Sequence, residues 1–263
     1  MQRQTSSYQT INVRNIEIGA GIPKICVPVT GHDAADIFAL AEQIAAAGTA
    51  DLVEWRVDHF AGFRDADAVK AVLIGLRERL GTLPLLFTFR TDKEGGAAPI
   101  TPEAYQKLLQ TAIRSGLADL VDLELSSGET AVETVIREAH AANVPVIMSC
   151  HDFAGTPSKE EILRILLRMQ ELGADILKIA VMPHSRRDVL TLLAATEEMF
   201  TAHANRPLIT MAMGDLGVIS RVSGAFFGSA VTFGAAGEGL TSAPGQINAC
   251  DLARILAWVH PGE

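Results

Sequence analysis

One lysine lies where a positive charge would be destabilising. Lys178 occupies the middle of the apolar run Ile176–Val181. An ammonium buried in such a run costs free energy unless an acid pairs with it, and loss of its proton removes that cost. A neutral lysine amine attacks carbonyl carbons and forms Schiff bases. We therefore favour Schiff-base chemistry at Lys178 over a paired lysine of the core.

A Schiff base acidifies the neighbouring C–H bond, so the reaction needs a group that moves a proton. His151 follows the apolar run Val144–Cys150, and an imidazole with an ordinary pKa of about 6.5 suits general acid–base catalysis. A hydrogen-bonded core histidine is the alternative. His151 and Asp152 could also ligate a metal, but no HxH or HExxH cluster accompanies them, so a metal site is the weaker interpretation.

Two arginines indicate an anionic substrate. Arg90 and Arg221 both lie next to apolar runs, and a guanidinium matches a carboxylate with two parallel hydrogen bonds. A phosphate would be bound by the same groups and stays open as an alternative.

Polar side chains alternate with apolar ones along the runs. Glu54 and Arg56 share one side of a predicted strand, opposite Val53, Trp55 and Val57. The side chains that this pattern directs away from the helices are Glu54, Arg56, Arg90, Asp122, Glu124, His151 and Lys178. Glu54 with Arg56 can equally be an internal ion pair. We interpret Asp122 and Glu124 as structural acids that neutralise the arginines.

Eight apolar runs alternate with eight longer segments of helical spacing. The predicted strands are Ile25–Val29, Leu52–Val57, Leu85–Arg90, Leu120–Leu125, Val144–Cys150, Ile176–Val181, Leu208–Met211 and Ala230–Phe233. The predicted helices are Ala34–Ala47, Ala66–Leu80, Pro102–Ser115, Glu129–Ala142, Ser158–Leu172, Arg186–Ala202, Leu216–Phe226 and Asn248–Val259. Buried strands that alternate with helices indicate a parallel sheet.

The unit count favours a closed α/β barrel over an open doubly wound sheet. Eight units in 263 residues average about 33 residues each, which fits a (β/α)₈ TIM barrel with its active site at the C-terminal ends of the strands. No GxGxxG or GxxxxGK[ST] motif supports the open sheet. Residues 10–19 predict an N-terminal β-hairpin that closes the barrel floor, and the whole chain, 1–263, is expected to be a single catalytic domain.

Composition excludes several classes of partner. The chain is 48% hydrophobic with a mean hydropathy of +0.23, and its net charge is −9 with scattered basic residues. We expect a folded protein that does not bind nucleic acid, because its net charge is negative and its basic residues are scattered. We also expect no membrane span, because the longest apolar stretch, Ala225–Ala236, is too short for a spanning helix. The N-terminus lacks a secretory pattern and the three cysteines lie far apart, which predicts a cytoplasmic location.

Six segments carry a resemblance to a known family. They read LVEWRVDHF (52–60), FTFRTDKEGG (87–96), SCHDFAGTP (149–157), DILKIAVMP (175–183), GVISRVSGAFFGSAVTFG (217–234) and SAPGQI (242–247). In this order they closely resemble type I 3-dehydroquinate dehydratase over nearly the whole chain. The resemblance implies a (β/α)₈ barrel that converts 3-dehydroquinate to 3-dehydroshikimate, the third step of the shikimate pathway, without metal or other cofactor.

The resemblance also implies a role for each matching residue. Lys178 corresponds to the lysine that forms the imine, His151 to the histidine that moves the proton, and Glu94 to the acid that orients this histidine. The residues that correspond to substrate-binding groups are Glu54, Arg56 and Arg90 for the ring hydroxyls, Arg221 for the carboxylate, and Ser242 and Gln246 on a loop that closes over the substrate. Relatives of this family are often homodimers, which we expect here.

Two positions depart from the family pattern. Pro28 stands where many relatives carry a serine, so a hydroxyl contact from that position is missing. The segment between Gly234 and Ser242 is about two residues longer than in such relatives, and its glycines are typical of a mobile lid or of a neutral surface insertion.

Two rival functions stay open beside the dehydratase. An aldolase or transaldolase would share the imine on Lys178 but break a C–C bond; the combination of His151 with Arg90 and Arg221 favours dehydration instead. A catalytically silent barrel that binds a carboxylated polyol would not need both Lys178 and His151.

Overall fold

The chain forms a barrel of parallel strands surrounded by helices. The computed structural model describes residues 8–237 and 242–260. The barrel strands are β3 (Lys24–Val29), β4 (Leu52–Arg56), β5 (Leu85–Thr88), β6 (Leu120–Glu124), β7 (Val146–Asp152), β8 (Ile176–Val181), β9 (Leu208–Ala212) and β10 (Val231–Ala235), preceded by β1 (Ile11–Val13) and β2 (Ile16–Ile18) and followed by the short β11 (Ile247–Asn248).

The strands are hydrogen-bonded in the order β10-β3-β4-β5-β6-β7-β8-β9, with β11 added parallel to β10. A parallel bridge between Leu208 and Ser229 and a 2.7 Å hydrogen bond from the amide of Ala230 to the carbonyl of Leu208 join the last strand to β9. The predicted TIM barrel is therefore confirmed, and its strand ends converge on one face.

The helices cover the outside of the barrel. They are α1 (Ala34–Ala47), α2 (Ala66–Leu80), α3 (Pro102–Ser115), α4 (Glu129–Ala141), α5 (Lys159–Glu171), α6 (Arg186–Glu198), α7 (Gly214–Phe227) and α8 (Ala249–Val259). Side-chain caps begin several of them, as at α6, where Ser185 and Asp188 form a reciprocal capping box. Left-handed glycines such as Gly48 and Gly116 end α1 and α3.

Two apolar layers hold the barrel. The outer layer packs one side of each strand, including Val53, Trp55 and Phe87, against the helices. The inner layer fills the lower part of the barrel with Cys26, Leu52, Leu86, Leu120, Ile147, Ile176, Ile209 and Val231. The antiparallel hairpin β1–β2 inserts Val13 and Ile18 into this inner layer. The predicted hairpin closes the floor and leaves the opposite end for polar side chains.

The predicted bounds are correct for β8, α1, α2 and α3 and shift elsewhere. Strand β7 begins at Val146 and runs to Asp152, so His151 lies within the strand and not after it. Helix α6 ends at Glu198 because the chain widens there into a π-helical turn, Met199–His203, where the pattern predicted continued α-helix. No helix in the described part of the chain is long and apolar enough to cross a membrane.

Candidate active site

A cavity opens at the C-terminal ends of the barrel strands. It collects every predicted site residue except Arg221: Glu54, Arg56, Arg90, Glu94, His151, Lys178, Ser242 and Gln246. Apolar side chains complete the wall, among them Phe153, Met211, Met213 and Phe233. Asp122 and Glu124, which the strand pattern also directed inward, lie fully buried behind this wall.

Lys178 is central to the cavity and is paired. It is 3% exposed, its Nζ lies 3.1 Å from Oδ2 of Asp122 and 3.7 Å from Oε1 of Glu54, and the Phe233 ring centroid is 4.6 Å away. The lysine is therefore paired, as the alternative interpretation allowed, because β6 supplies an acid. Schiff-base chemistry at Lys178 stays a prediction. The position of Nζ at the cavity wall still leaves it accessible to a small ligand.

Arg90 is fixed by two buried acids. Its Nη2 donates to Oδ1 of Asp122 at 2.7 Å and its Nη1 to Oε1 of Glu124 at 2.9 Å. Burial alone would lower the pKa of Arg90, but these two carboxylates outweigh it and raise that pKa. The interpretation of Asp122 and Glu124 as neutralising acids is confirmed.

His151 and Glu94 form a hydrogen-bonded pair at the cavity. Glu94 lies in the tight turn Asp92–Glu94 after β5, and its Oε2 is 3.0 Å from Nδ1 of His151 and accepts the backbone N–H of His151 at 3.0 Å. Oε1 accepts the hydroxyl of Ser126 at 2.7 Å. With Nδ1 donating to Glu94, Nε2 of His151 is left as the nitrogen that can accept a proton.

Burial and nearby charges shift the pKa values of His151 and Glu94. Burial, followed by the positive charges of Arg90 and Lys178, holds the pKa of His151 well below its ordinary value. Burial and the negative charge of Glu124 raise the pKa of Glu94 to about 7. A neutral imidazole beside an acid that titrates near neutrality can act as a general base, and the acid can stabilise the imidazolium that results.

Arg56 links the barrel to the loop that precedes β11. Its guanidinium forms a bidentate ion pair with Asp58, at 2.8 and 2.7 Å. Burial would raise the pKa of Asp58, but its contact with Arg56 lowers it. Nη1 of Arg56 also donates to the carbonyl of Ser242 at 3.4 Å. Gln246 accepts the amide of Ser242 at 2.9 Å and donates to its hydroxyl at 3.0 Å, so the predicted loop residues hold each other.

Arg221 extends from α7 toward the site, and no acid among the described residues pairs with it. Its Nη2 donates to the carbonyl of Pro244 at 3.1 Å and its Nη1 lies 3.8 Å from the sulfur of Met211. Its Nε is buried and has no hydrogen-bond partner within residues 8–237 and 242–260. Burial alone lowers the pKa of Arg221 to about 10. Arg221 lines a small cavity that shares Met211 with the main one. At this position its guanidinium can bind the anionic group of a ligand.

Sequence reasoning missed several residues that complete the site. Asp58 follows Arg56 by two residues, and this spacing in LVEWRVDHF was a usable signal. Ser126 and Ser149, which support Glu94 and Asp122, have no distinguishing pattern. Of the two departures, Pro28 is buried in β3 beside Glu54, and the longer segment includes residues 238–241, which lie outside the described residues.

Comparison with known proteins identifies the family of this chain. The family model described as "Type I 3-dehydroquinase" matches residues 25–263. The chain belongs to the type I 3-dehydroquinase family. Curated family members include the 3-dehydroquinate dehydratases of Klebsiella pneumoniae strain 342, 51% identical over 94% of this chain and 97% of the relative, and of Clostridioides difficile strain 630, 49% identical over 95% and 97%.

Solved structures of the family share the barrel. The type I 3-dehydroquinate dehydratase of Clostridium difficile, solved with covalently modified comenic acid, superposes with a TM-score of 0.94 at 48% identity and covers 97% of this chain and 100% of its own. The enzyme of Geobacillus kaustophilus gives 0.93 at 43% identity, with 98% of both chains covered. This type I 3-dehydroquinase is a hydro-lyase of the shikimate pathway.

Proposed function

We propose that the enzyme dehydrates 3-dehydroquinate to 3-dehydroshikimate through a Schiff base on Lys178. The observation that carries the proposal is one cavity in which a buried lysine lies together with a histidine that is hydrogen-bonded to an acid. The Clostridium difficile relative was solved with covalently modified comenic acid, which supports covalent chemistry in such a cavity. Family membership supplies the substrate.

The proposed reaction proceeds through an imine that forms on the lysine nitrogen and is hydrolysed at the end. The ammonium of Lys178 gives one proton to Nε2 of His151, and the resulting amine adds to the C3 ketone. His151 returns that proton to the departing hydroxyl, so the carbonyl oxygen leaves as water and a protonated C=N bond remains. Nε2 of His151 takes a proton from C2, and the electrons of that C–H bond move into the iminium to give an enamine. The C1 hydroxyl leaves with the proton that His151 returns, and hydrolysis of the imine releases the product. No metal or other cofactor is needed, because the iminium is the electron sink.

The remaining cavity residues are proposed to bind the substrate. Arg221 binds its carboxylate, since its buried Nε has no partner among the described residues. Glu54, Arg56 and Arg90 bind the ring hydroxyls. Ser242 and Gln246 close the loop over the ring, and Glu94 orients His151 through the 3.0 Å contact.

Borohydride reduction in the presence of 3-dehydroquinate tests the imine. The wild-type chain should gain one reduced adduct in intact-mass measurement, and peptide mapping should place it on Lys178. Lys178→Arg is the control, because it keeps the charge but cannot form the imine. Full turnover without any adduct would overturn the Schiff-base mechanism.

Analysis of the small-molecule product separates the dehydratase from its two rival functions. An aldolase or transaldolase would also give the adduct but would cleave a C–C bond, whereas the dehydratase product keeps every carbon and loses one water. A silent binding protein would retain the substrate unchanged. Mass measurement of the small-molecule product therefore decides between the three.

We also propose a single catalytic domain that works as a cytoplasmic homodimer. The continuous barrel over the described residues supports one domain. Exposed apolar side chains at Ile219, Phe226 and Trp258 on α7 and α8 support a self-association surface. Light scattering during gel filtration measures the mass, and a monomer at every concentration would contradict the dimer.

A further inference from the structure

Asp122 is the acid nearest the nitrogen of Lys178. It is fully buried in β6, and its Oδ2 lies 3.1 Å from Nζ. Its other oxygen, Oδ1, accepts the Ser149 hydroxyl at 2.6 Å and Nη2 of Arg90 at 2.7 Å. Ser149 in turn accepts Nη1 of Arg90 at 3.0 Å. The carboxylate is thus held in one orientation with one oxygen committed to Lys178.

Asp122 stays ionised and so does not serve as a proton acceptor. Burial would raise its pKa, but the charges of Arg90 and Lys178 together with the Ser149 hydrogen bond hold that pKa far below its ordinary value. A group that remains negative throughout the working pH range provides a fixed charge. Proton transfer in the site belongs to other residues.

The other groups that face Lys178 do not provide an equivalent charge. Oε1 of Glu54 is farther away, at 3.7 Å, and is engaged by the hydroxyl of Thr88 at 2.9 Å. The Cys26 thiol on β3 is neutral, because burial and the charge of Glu54 raise its pKa. His151 and Arg90, both near Lys178 and Asp122, supply no negative charge.

We propose that Asp122 is the counter-ion of the Lys178 nitrogen, first in the ammonium and then in the protonated imine. The inference rests on the proposed Schiff-base mechanism. Imine formation replaces one cation by another at the same atom, since the new C=N nitrogen carries a proton once water has left. The Asp122 carboxylate 3.1 Å away keeps that proton on the nitrogen. Only the protonated form withdraws electrons strongly from the C–H bond that His151 breaks.

Cyanoborohydride trapping measures this charge, because the reagent delivers hydride to an iminium much faster than to a neutral imine. With saturating 3-dehydroquinate, the trapping rate should fall as pH rises and the imine loses its proton. An opposite charge at this distance shifts such a titration by about 1–3 pH units. Asp122→Asn, which keeps the shape but removes the charge, should lose trapping about 1–3 pH units lower than the wild type.

Glu124→Gln is the matched control. Glu124 lies on the same strand and also holds Arg90, but it does not contact Lys178. If Asp122 acted only as a support for Arg90, both variants would change the trapping profile alike. We expect Glu124→Gln to keep the wild-type pH midpoint, and a shift equal to that of Asp122→Asn overturns the proposal.

A second variant keeps the proposal testable if Asp122→Asn does not fold, which circular dichroism reports. Glu54→Gln removes the more distant acid and should shift the trapping midpoint less than one unit. A shift of the full 1–3 units would assign the counter-ion to Glu54 and overturn the role of Asp122. Absence of any adduct in the wild type would instead refute the Schiff-base mechanism itself.

Discussion

Two parts of the site differ in how their buried cations are paired: the acid-paired side lines the main cavity, and the Arg221 side is the small cavity beside it. On the acid-paired side, Arg56, Arg90 and Lys178 each contact a buried carboxylate of Asp58, Asp122 or Glu124. On the Arg221 side, the guanidinium meets only a backbone carbonyl and a thioether among the described residues, and burial lowers its pKa to about 10.

The difference separates structural charges from a charge kept for the ligand. A buried ion pair satisfies its own members, and breaking it leaves an uncompensated charge. An unpaired buried guanidinium gains its counter-ion only when an anion binds. In the proposed function, the acid-paired side therefore holds the reacting groups in place and the Arg221 side recognises the substrate carboxylate.

The largest change is expected in kcat when His151 is replaced, which tests whether the acid-paired side carries out the chemistry. His151→Ala should lower kcat by about 10²–10⁴-fold, the usual contribution of a general acid–base group. Borohydride should still trap the imine, because Lys178 remains. His140→Ala, which changes an exposed histidine outside the cavity, should turn over normally. Normal turnover by His151→Ala would assign the proton transfer to another group.

The second effect concerns stability and compares the two sides directly. Asp58→Ala should lower the free energy of unfolding by about 3–5 kcal/mol, because it leaves the buried Arg56 without its acid. Arg221→Met should unfold in urea at no lower concentration than the wild type, since it removes a guanidinium whose burial no described acid offsets. Equal destabilisation by both variants would contradict the claim that the two sides differ in the pairing of their buried cations.

Binding on the Arg221 side gives a smaller effect. Arg221→Lys keeps a positive charge but loses the planar pair of donors that matches a carboxylate. We expect the variant to lose about 1.5–3 kcal/mol of transition-state stabilisation. This loss lowers kcat/KM by roughly 10–150-fold. A 3-dehydroquinate amide, which lacks the negative charge, should be turned over equally by the wild type and the variant. Unchanged kinetics with the natural acid would remove Arg221 from carboxylate recognition.

The barrel itself could be predicted from the sequence, because buried parallel strands are continuous apolar runs and helices have their own spacing. The run Ile176–Val181 and the segment Ala34–Ala47 keep their predicted bounds. Ends that depend on local hydrogen bonding could not be predicted: the π-helical turn Met199–His203 has the same apolar spacing as the helix before it.

The site was predictable as a set of residues but not as a set of contacts. Lys178 and Asp122 are 56 positions apart, and their contact depends on the register of β6, β7 and β8, which no local pattern encodes. Glu94 lies in a short turn without periodicity, and only family resemblance pointed to it. That no described acid pairs with Arg221 likewise depends on which side chains fold around it.

The smallest change is expected in the pH dependence of kcat/KM. The wild-type kcat/KM should rise about tenfold per unit up to a pH of about 7, the pKa of Glu94, because only the ionised carboxylate stabilises the imidazolium of His151. In Glu94→Gln this limb should vanish, so the gap to the wild type narrows by about tenfold between pH 8 and pH 6.

Ser126→Ala provides the directional control for this profile. It removes the 2.7 Å donor to Oε1 of Glu94, which favours the charged carboxylate, so the limb should move to higher pH. Arg221→Lys should keep the limb in place, because Arg221 does not belong to the acid-paired side. A limb that persists in Glu94→Gln would come from a different group and would contradict the assignment of the proton chemistry to the acid-paired side.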